Sequence, residues 1–279
     1  MRNLTGRVAA ATGAASGIGR ALALALAAEG CELALSDVDE AGLEETRRLA
    51  EARGAKVSIA QVDVADREAV EAWAEQVVRA HGAAHLIFNN AGVALSGTIS
   101  NLTVDELEWL MRINFWGVVY GTKAFLPQLE RAGAGHIVNI SSVFGLIAVP
   151  GNGAYNAAKF AVRGFTECLS MELEAARSPI QVTSVHPGGI RTQIARNARL
   201  ARSEPEGMSA EERHDSFTNM ARTTADAAAR SIVDGVKRGK RRVLIGSDAR
   251  LLSGIQRIFP TLYQTALARI ARRWESGRV

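Results

Sequence analysis

Short, wholly apolar runs alternate along this chain with longer segments in which apolar residues recur every three to four positions. Runs of the first kind are typical of strands buried on both faces of a parallel sheet, and segments of the second kind are typical of amphipathic helices. The predicted strands are residues 7–12, 32–36, 56–61, 85–88, 136–142, 180–186 and 243–245. The predicted helices are residues 18–29, 40–53, 67–81, 104–131, 155–176 and 225–237. This order of elements predicts an α/β fold, a doubly wound parallel sheet with helices on both faces.

Length and composition agree with one globular domain. The chain has 279 residues, of which 47% are hydrophobic and 22% charged, and no Pro-, Gly- or Ser-rich linker divides it. Its two cysteines, Cys31 and Cys168, form neither a disulfide framework nor a metal-ligand spacing, so we expect no metal site and a reducing, cytoplasmic setting. Because the sequence runs almost at once into a predicted strand, we expect no signal peptide. Its longest helical apolar run, residues 21–28, is far shorter than the ~20 residues of a membrane span.

The formal net charge of +4 is unevenly distributed. Residues 237–279 hold eleven Lys or Arg and two acids, whereas the first 236 residues hold 22 bases and 27 acids. Helically spaced apolar residues accompany the basic charge in a C-terminal extension, residues 247–279, where Pro260 is expected to separate two helices. Such an extension can lie on an anionic membrane, so peripheral membrane contact is one hypothesis; packing on the body or on a neighbouring subunit is the alternative. No recognised nucleic-acid-binding module accompanies the charge, and we expect no nucleic-acid partner.

A glycine-rich turn follows the first predicted strand and precedes the first predicted helix. Gly13, Gly17 and Gly19 would allow a tight turn and let a pyrophosphate approach the helix N-terminus, whose free N–H groups favour an anion. The second strand ends about 20 residues later at Asp37, where a carboxylate can accept hydrogen bonds from an adenosine ribose and would repel a 2′-phosphate. These features indicate a Rossmann-type dinucleotide site with a preference for NAD over NADP. A purely structural turn is the alternative, and either Asp37 or Asp39 could cap the next helix.

Residues 142–159 place a hydroxyl, a phenol and an ammonium where they could converge. Ser142 ends a predicted strand, and ligands bind at the carboxyl ends of strands in open α/β sheets. Tyr155 and Lys159 are four residues apart and share one face of the following helix. A cation within about 4–6 Å lowers a phenol's pKa by about 1–3 units from about 10, so Tyr155 could exchange a proton near neutral pH. The pair could also be an ordinary solvated pair, and a dinucleotide site in the same chain is what favours the catalytic interpretation.

Together and in order, the motifs of this chain resemble those of the classical short-chain dehydrogenase/reductase family, over roughly residues 4–246. The motifs that carry the resemblance are Thr12-Gly-Ala-Ala-Ser-Gly-Ile-Gly19, Asp63-Val64, Asn89-Asn-Ala-Gly92, Asn114, Ser142, Tyr155-x-x-x-Lys159, and Pro187-Gly188 with Thr192. The resemblance implies one dinucleotide-binding and catalytic domain, residues 1–246. Within it, the polar segment near residues 193–222 lacks a clear period and is expected to form a substrate lid.

The resemblance also implies roles for single residues. Tyr155 would be the acid or base, and Lys159 would hold its phenolate and bind the nicotinamide ribose. Ser142 would hydrogen-bond the reacting oxygen. Asn114 would anchor a water that links Lys159 to solvent, or it could only hydrogen-bond the backbone inside its helix. His186 is more typical of a packed side chain than of a base. The residues expected to contact the cofactor are Gly13, Ser16, Gly17, Ile18, Gly19, Asp37, Asp63, Val64, Asn90, Ala91, Gly92, Tyr155, Lys159, Pro187, Gly188, Ile190 and Thr192.

We therefore expect an enzyme, an NAD-dependent oxidoreductase that interconverts a secondary alcohol and a ketone by hydride transfer. An NADP-dependent carbonyl reductase is the first alternative. A nucleotide-sensing protein without turnover is the second, and the presence of Ser142, Tyr155 and Lys159 argues against it. The expected partners are a small, apolar alcohol or ketone and further copies of the chain, as a homodimer or homotetramer. The resemblance implies that subunits pair through the helices that hold Asn114 and Tyr155, although these helices could meet only their own sheet.

Overall fold

A seven-stranded parallel sheet forms the centre of the computed structural model, which describes residues 1–201 and 221–275 and side chains up to residue 272. In chain order its strands are β1 (Val8–Thr12), β2 (Glu32–Asp37), β3 (Val57–Gln61), β4 (Leu86–Asn89), β6 (Gly135–Ile140), β7 (Ile180–Pro187) and β11 (Arg242–Ile245). Their order in space is β3-β2-β1-β4-β6-β7-β11. Two-residue strands pair outside this sheet, namely β5 (Leu95–Ser96) with β9 (Arg199–Leu200) and β8 (Ile190–Arg191) with β10 (Thr223–Thr224).

Helices connect the strands and cover both faces of the sheet. They are α1 (Gly17–Ala28), α2 (Glu40–Glu51), α3 (Arg67–His81), α4 (Val104–Met111), α5 (Gly117–Arg131), α6 (Gly153–Ala175), α7 (Ala225–Lys237), α8 (Ser247–Ile258) and α9 (Leu262–Glu275). A π-helical turn, Arg112–Trp116, joins α4 to α5, and a short 3-10 helix, Val143–Gly145, follows β6. The predicted doubly wound α/β fold is confirmed.

The core lies in two layers, because successive strand residues point to opposite faces of the sheet. On one face, α1 and α7 pack through side chains such as Leu22, Leu26 and Ile232. On the other face, α3 and α5 pack through Trp73 and Phe125, whose rings meet edge to face at 5.1 Å. Burying a side chain of this size stabilises the fold by about 1.5–3 kcal/mol.

The strand order reverses between β1 and β4. From β1 the chain proceeds outward through β2 and β3, and it then returns to place β4 against the other side of β1. All seven strands are parallel, so the loops after their carboxyl ends gather at one edge of the sheet. The crevice at such a reversal is where ligands bind in open α/β sheets.

The segments around the predicted lid and extension contact the body of the fold. Of the predicted lid near 193–222, residues 202–220 lie outside the described part of the chain; just before them, β9 pairs with β5. The C-terminal region forms α8 and α9, which are separated around Pro260 as predicted. No helix within the described ranges is both long enough and apolar enough to cross a membrane.

Candidate active site

The glycine turn between β1 and α1 has a backbone that only glycine accommodates. Gly13 has a φ of +65°, and a Cβ atom there would lie 2.8 Å from the Cα of Ala91. A Cβ atom on Gly19 would lie 1.9 Å from the carbonyl oxygen of Gly13. Both glycines are therefore required for the turn to fold against the end of β4.

The N-terminus of α1 is open to an anion. Ser16 is its N-cap residue, and its side chain makes no capping hydrogen bond within the described structure. The first turn, which includes Gly17 and Ile18, contains no acidic residue. Free N–H groups and the helix dipole make such an N-terminus a site for phosphate.

Thr12 and Asn90 join the glycine turn to the loop after β4. The Thr12 hydroxyl accepts hydrogen bonds from the backbone N–H groups of Asn90 and Ala91, both at 3.0 Å. The Asn90 side chain donates in return to the carbonyl oxygens of Thr12 and Gly13, at 2.9 and 3.1 Å. Asn89 differs from its neighbour, because its side chain is buried and bonds Thr122 and Asn139 in the core. The loop from Asn90 to Gly92 is therefore held beside the turn, whereas the Asn89 side chain lies in the core.

Asp37 lies at the end of β2 with its carboxylate fixed against the glycine turn. One oxygen accepts from the backbone N–H of Ala15 at 2.9 Å, and the other accepts from Val38 and Asp39. Asp39 is the N-cap of α2 and accepts from Gly42, which decides between the two candidates for that cap. The guanidinium of nearby Arg20 bonds the carbonyl oxygens of Ala15 and Gly42 and the Thr46 hydroxyl.

Asp63 and Val64 form the loop after β3, at the same edge of the sheet. The Asp63 carboxylate accepts from the backbone N–H of Ala65 at 2.9 Å. Val64 is buried against Gly117, where a Cβ atom would lie 2.8 Å from the Val64 side chain. The Asp63 contact and the packing of Val64 therefore fix this loop at the edge of the sheet where the strands end.

Lys159, Asn114 and Gly92 converge below this edge. A Cβ atom on Gly92 would lie 3.2 Å from Asn114 Oδ1 and 3.5 Å from Lys159 Nζ. The buried Asn114 side chain accepts from the N–H of Val93 and donates to its carbonyl oxygen, both at 2.8 Å. Asn114 thus bonds backbone, but on the loop after β4 rather than inside its own helix. Lys159 is buried and donates to the carbonyl oxygen of Ile140 at 3.0 Å.

Tyr155 and Ser142 complete the cluster. The Tyr155 ring lies 5.5 Å from Lys159 Nζ and meets the Phe144 ring edge to face at 6.1 Å. Burial is the largest influence on the Tyr155 hydroxyl and raises its pKa to about 12, while a side-chain hydrogen bond with Ser142 acts in the opposite direction. Burial also lowers the pKa of Lys159 to about 8, because desolvation disfavours the ammonium.

The raised pKa of Tyr155 differs from the lowered value expected from sequence. The i, i+4 spacing does place Lys159 near the ring, but Nζ is turned toward Ile140 and is itself desolvated. In the protein alone, loss of water around the hydroxyl outweighs attraction to this cation.

The loop after β7 approaches the glycine turn from the other side of the reversal. Pro187 ends β7, and the backbone N–H of Gly188 donates to Ile245 at 2.9 Å. Ile190 is buried in the core. A Cβ atom on Gly17 would lie 3.3 Å from the Thr192 side chain, so this loop and the glycine turn nearly touch.

Two residues that hold this site are absent from the sequence-based assignment. His186 is fully buried between the Ser142 carbonyl oxygen, 3.0 Å from Nδ1, and the Ser184 hydroxyl, 2.9 Å from Nε2. Burial lowers its pKa to about 4, so it is a neutral packed side chain, as its position indicated, and it holds the Ser142 backbone. Asp248 accepts from the backbone N–H of Gly189 at 2.7 Å across 59 residues, a contact with no local signal in the sequence.

The arrangement fits a dinucleotide. Gly13 and Gly19 form a cradle that a Cβ atom would fill, α1 begins at that cradle, and the Asp37 carboxylate bonds the turn at Ala15. Tyr155 and Lys159 lie beyond the loop after β4, so a hydroxyl that can exchange a proton is near the other end of the crevice. This set of groups suits proton transfer coupled to chemistry on a bound nucleotide.

Comparison with known proteins agrees with this geometry. The profile of the short chain dehydrogenase family matches residues 7–203. The chain is 51% identical over 270 residues to the Mycobacterium tuberculosis protein SadH, whose name describes it as an oxidoreductase, with 96% of each chain covered. A short chain dehydrogenase/reductase from Burkholderia phymatum, solved in complex with NAD, superposes with a TM-score of 0.83 at 31% identity, covering 94% of this chain and 97% of that one. An alcohol dehydrogenase from Thermococcus sibiricus, complexed with 5-hydroxy-NADP, has a TM-score of 0.72 at 25% identity, with 86% and 95% covered.

The chain belongs to the short-chain dehydrogenase/reductase family of oxidoreductases. Its solved relatives include proteins bound to NAD and one bound to an NADP derivative.

Proposed function

We propose that this protein is an NAD-dependent oxidoreductase that interconverts a secondary alcohol and a ketone, with Tyr155 as the acid or base. The observation that carries the proposal is the convergence of Tyr155, Ser142 and Lys159 beside a crevice whose other end fits a dinucleotide. Buried hydrogen bonds hold the backbone around these side chains. The Ser141 hydroxyl and Lys159 join the end of β6 to α6, and His186 bonds the Ser142 carbonyl oxygen.

Each residue of the cluster has a separate proposed role in the reaction. NAD, when bound, supplies the hydride acceptor or, in reduced form, the hydride donor. Tyr155, as the phenolate, takes the substrate hydroxyl proton during oxidation; as the phenol, it gives a proton to the carbonyl oxygen during reduction. Lys159 stabilises the phenolate form of Tyr155, and Ser142 donates a hydrogen bond to the oxygen whose charge changes. Asn114 holds the backbone of the loop after β4 beside Lys159. Its further proposed role is to anchor a water that links Lys159 to solvent.

The proposed preference for NAD rests on Asp37 and Arg20. The Asp37 carboxylate is positioned to accept hydrogen bonds from ribose hydroxyls and would repel a 2′-phosphate. Arg20, which could otherwise pair with such a phosphate, has its guanidinium committed to three protein partners. The NADP-dependent carbonyl reductase is the second candidate, favoured by the NADP derivative bound to the Thermococcus sibiricus relative.

An apolar substrate is proposed because the surroundings of Tyr155 are apolar. The ring packs against a cluster that includes Leu95, Leu110 and Ala158, and Phe144 meets its edge. An apolar alcohol or ketone loses little by leaving water for such a pocket.

The test is Tyr155→Phe, assayed for NAD reduction with a panel of secondary alcohols that spans steroids, retinoids, short alcohols and sugars. We expect the wild-type protein to reduce NAD with apolar members of the panel. The variant should lose at least about a hundredfold in kcat, because general acid–base catalysis contributes about 10²–10⁴-fold. NAD affinity, measured by calorimetry, should change little. Undiminished turnover in the variant would remove Tyr155 from its role, and tight NAD binding without turnover on any alcohol would favour a nucleotide sensor.

A further inference from the structure

The last two helices are fixed to the body along one side. Ala249 is buried, and Leu252, Tyr263 and Leu267 pack against a cluster with Val143 and Ile147. The Tyr263 hydroxyl accepts from the backbone N–H of Ala148 at 3.2 Å. This side of α8 and α9 therefore covers the segment that follows Ser142, which confirms part of the packing alternative for the extension.

The opposite side of α8 and the turn into α9 is apolar and exposed. Four large apolar side chains there are exposed, and they define what we call the tail face: Leu251, Ile258, Phe259 and Leu262. Leu251 is 64% exposed and Ile258, seven residues later on the same side of α8, is 70% exposed. Four exposed apolar side chains that run along α8 to the first residue of α9 are more than the scattered apolar residues of an ordinary protein surface.

The charge around the tail face has a single sign. Arg250, Arg257, Arg269 and Arg272 are exposed, and none of them forms an ion pair with a described residue. No Asp or Glu occurs between Ala249 and Trp274. Exposed arginines beside an apolar stripe are complementary to a surface that is anionic outside and apolar beneath.

We propose that the tail face binds an anionic phospholipid membrane, with its apolar side chains inserted at the headgroup boundary and its arginines paired with lipid phosphates. Basic residues near an anionic bilayer each add about 1 kcal/mol, and apolar side chains at the interface add to this attraction. A second copy of the chain is a weaker fit, because a two-fold contact between tail faces would bring their arginines together. The inference does not depend on the proposed reaction, since α8 and α9 hold no proposed catalytic group.

The test measures co-sedimentation of the full chain with vesicles of phosphatidylcholine alone and of phosphatidylcholine with phosphatidylglycerol. We expect sedimentation with the second kind only, weakened by added salt because salt screens surface charge. Arg250→Gln with Arg257→Gln should lower binding by roughly tenfold or more. Leu251→Ser with Ile258→Ser should lower it similarly, while the salt dependence is retained.

Matched controls lie elsewhere on the surface. Ile99 and Val104 are 73% and 68% exposed, so changing both to Ser removes as much exposed apolar surface as the Leu251 and Ile258 pair. Arg53 and Arg131, both exposed, provide the matched control for charge, with both changed to Gln.

The proposal is supported if the control variants bind vesicles as the wild type does and circular dichroism shows that all the proteins are folded. Equal binding to both vesicles, equal loss in the controls, or no binding at low salt would overturn it. A smaller particle by light scattering for the tail variants, without vesicle binding, would assign the face to a second copy.

Discussion

The chemistry of the Tyr155 and Lys159 pair is set by burial more than by the distance between them. Each is desolvated, so each is shifted toward its neutral form in the protein alone: the pKa of Tyr155 is raised to about 12 and that of Lys159 is lowered to about 8. A positive charge that enters the crevice would then act through a medium that screens it weakly. The proposed phenolate therefore depends on the cofactor's charge, and the protein alone keeps Tyr155 protonated at neutral pH.

Asp37 is the residue whose replacement should change the choice of cofactor. Asp37→Ser removes the charge that repels a 2′-phosphate and the acceptor for ribose hydroxyls, effects worth a few kcal/mol in all. The ratio of kcat/KM for NADP to that for NAD should rise about 10- to 100-fold. Asp39→Ser is the matched control, because it removes the same charge two residues away and leaves a residue that can cap α2. A wild-type preference for NADPH over NADH would show that the role given to Asp37 is wrong.

Residues in local motifs can be predicted from the sequence, and residues that act across the sheet cannot. The glycine turn and the Tyr155–Lys159 pair depend on neighbours a few positions away, and Asp37 follows the turn at the end of the next strand, about 20 residues later, so their spacing reveals them. Thr12 is different, because its hydroxyl accepts from Asn90 and Ala91 only once β4 lies beside β1. Asn89 and Asn90 show the same limit, since the sequence does not say which of the two faces the core.

At the scale of elements, hydrophobic period predicts most helices and strands but not their irregularities. The π-helical turn at Arg112–Trp116 lies inside a segment whose apolar spacing predicts one continuous helix over 104–131. One extra residue in a helical turn barely changes the spacing of apolar residues, so the hydrophobic pattern does not reveal it. Asn114, which bonds Val93, lies in this turn. Similarly, the predicted ends of strands and helices differ from the observed ends only by the fraying common to such boundaries.

The first turn of α8 should control cofactor binding through Asp248. Its carboxylate accepts from Gly189, and Cβ atoms on Gly188 or Gly246 would lie 2.1 or 2.2 Å from its oxygens, so it fills a space that these glycines leave. Asp248→Ala should free the loop after β7 and raise the KM for NAD about three- to tenfold, since hydrogen bonds to charged groups contribute about 1.5–3 kcal/mol and this one is exposed. The kcat should change less.

The conservative variant separates positioning from general stability. Asp248→Asn keeps an oxygen acceptor for Gly189, so its KM for NAD should lie between those of wild type and Asp248→Ala. Thermal unfolding of both variants supplies the readout that a merely structural role would move. Equal KM values in all three proteins would contradict the positioning role.

For the molecule as a whole, two buried histidines make stability depend on pH. Nε2 of His136 bonds the Thr183 hydroxyl, which itself donates to Lys240, so the ring is the donor there, and Nδ1 has no partner among the described residues. Burial lowers the pKa of His136 to about 3 and that of His186 to about 4, from an ordinary value of 6.5. The unfolded chain therefore binds these protons more readily than the folded one.

The free energy of unfolding should be constant with respect to these two rings above about pH 7 and should fall as pH drops below about 6.5. Each ring contributes up to about 1.4 kcal/mol per pH unit in that range. Urea unfolding at fixed protein concentration, between about pH 7.5 and pH 5.5, measures the slope. His136→Gln should reduce it, because Gln does not titrate. An unchanged slope would mean that the pKa of His136 is the same in the folded and the unfolded chain.

Subunit pairing is the second property of the whole molecule that we predict. Trp116, Phe160 and Met171 are exposed on or beside the helices that hold Asn114 and Tyr155, where a second subunit would cover them. We expect a dimer or tetramer by light scattering at micromolar concentration. Phe160→Glu with Met171→Glu should raise the dissociation constant at least about tenfold, since each would bury an unpaired charge. Ile99→Glu, on an exposed apolar residue outside these two helices, is the control, and a wild-type monomer would refute the prediction.

The docking of α8 and α9 has a consequence for hydrogen exchange. Asp248 bonds the loop after β7 and Tyr263 bonds the loop after β6, so the same two helices clamp both loops that border the reacting end of the crevice. Coupling free energies are reciprocal: whatever the docked helices add to NAD affinity, NAD must add to the docking of the helices. Amide protons of α8 should therefore exchange more slowly when NAD is present, by the factor by which the docked helices raise NAD affinity. The rate of amide exchange in α8 therefore reports whether NAD is bound, without any assay of the reaction.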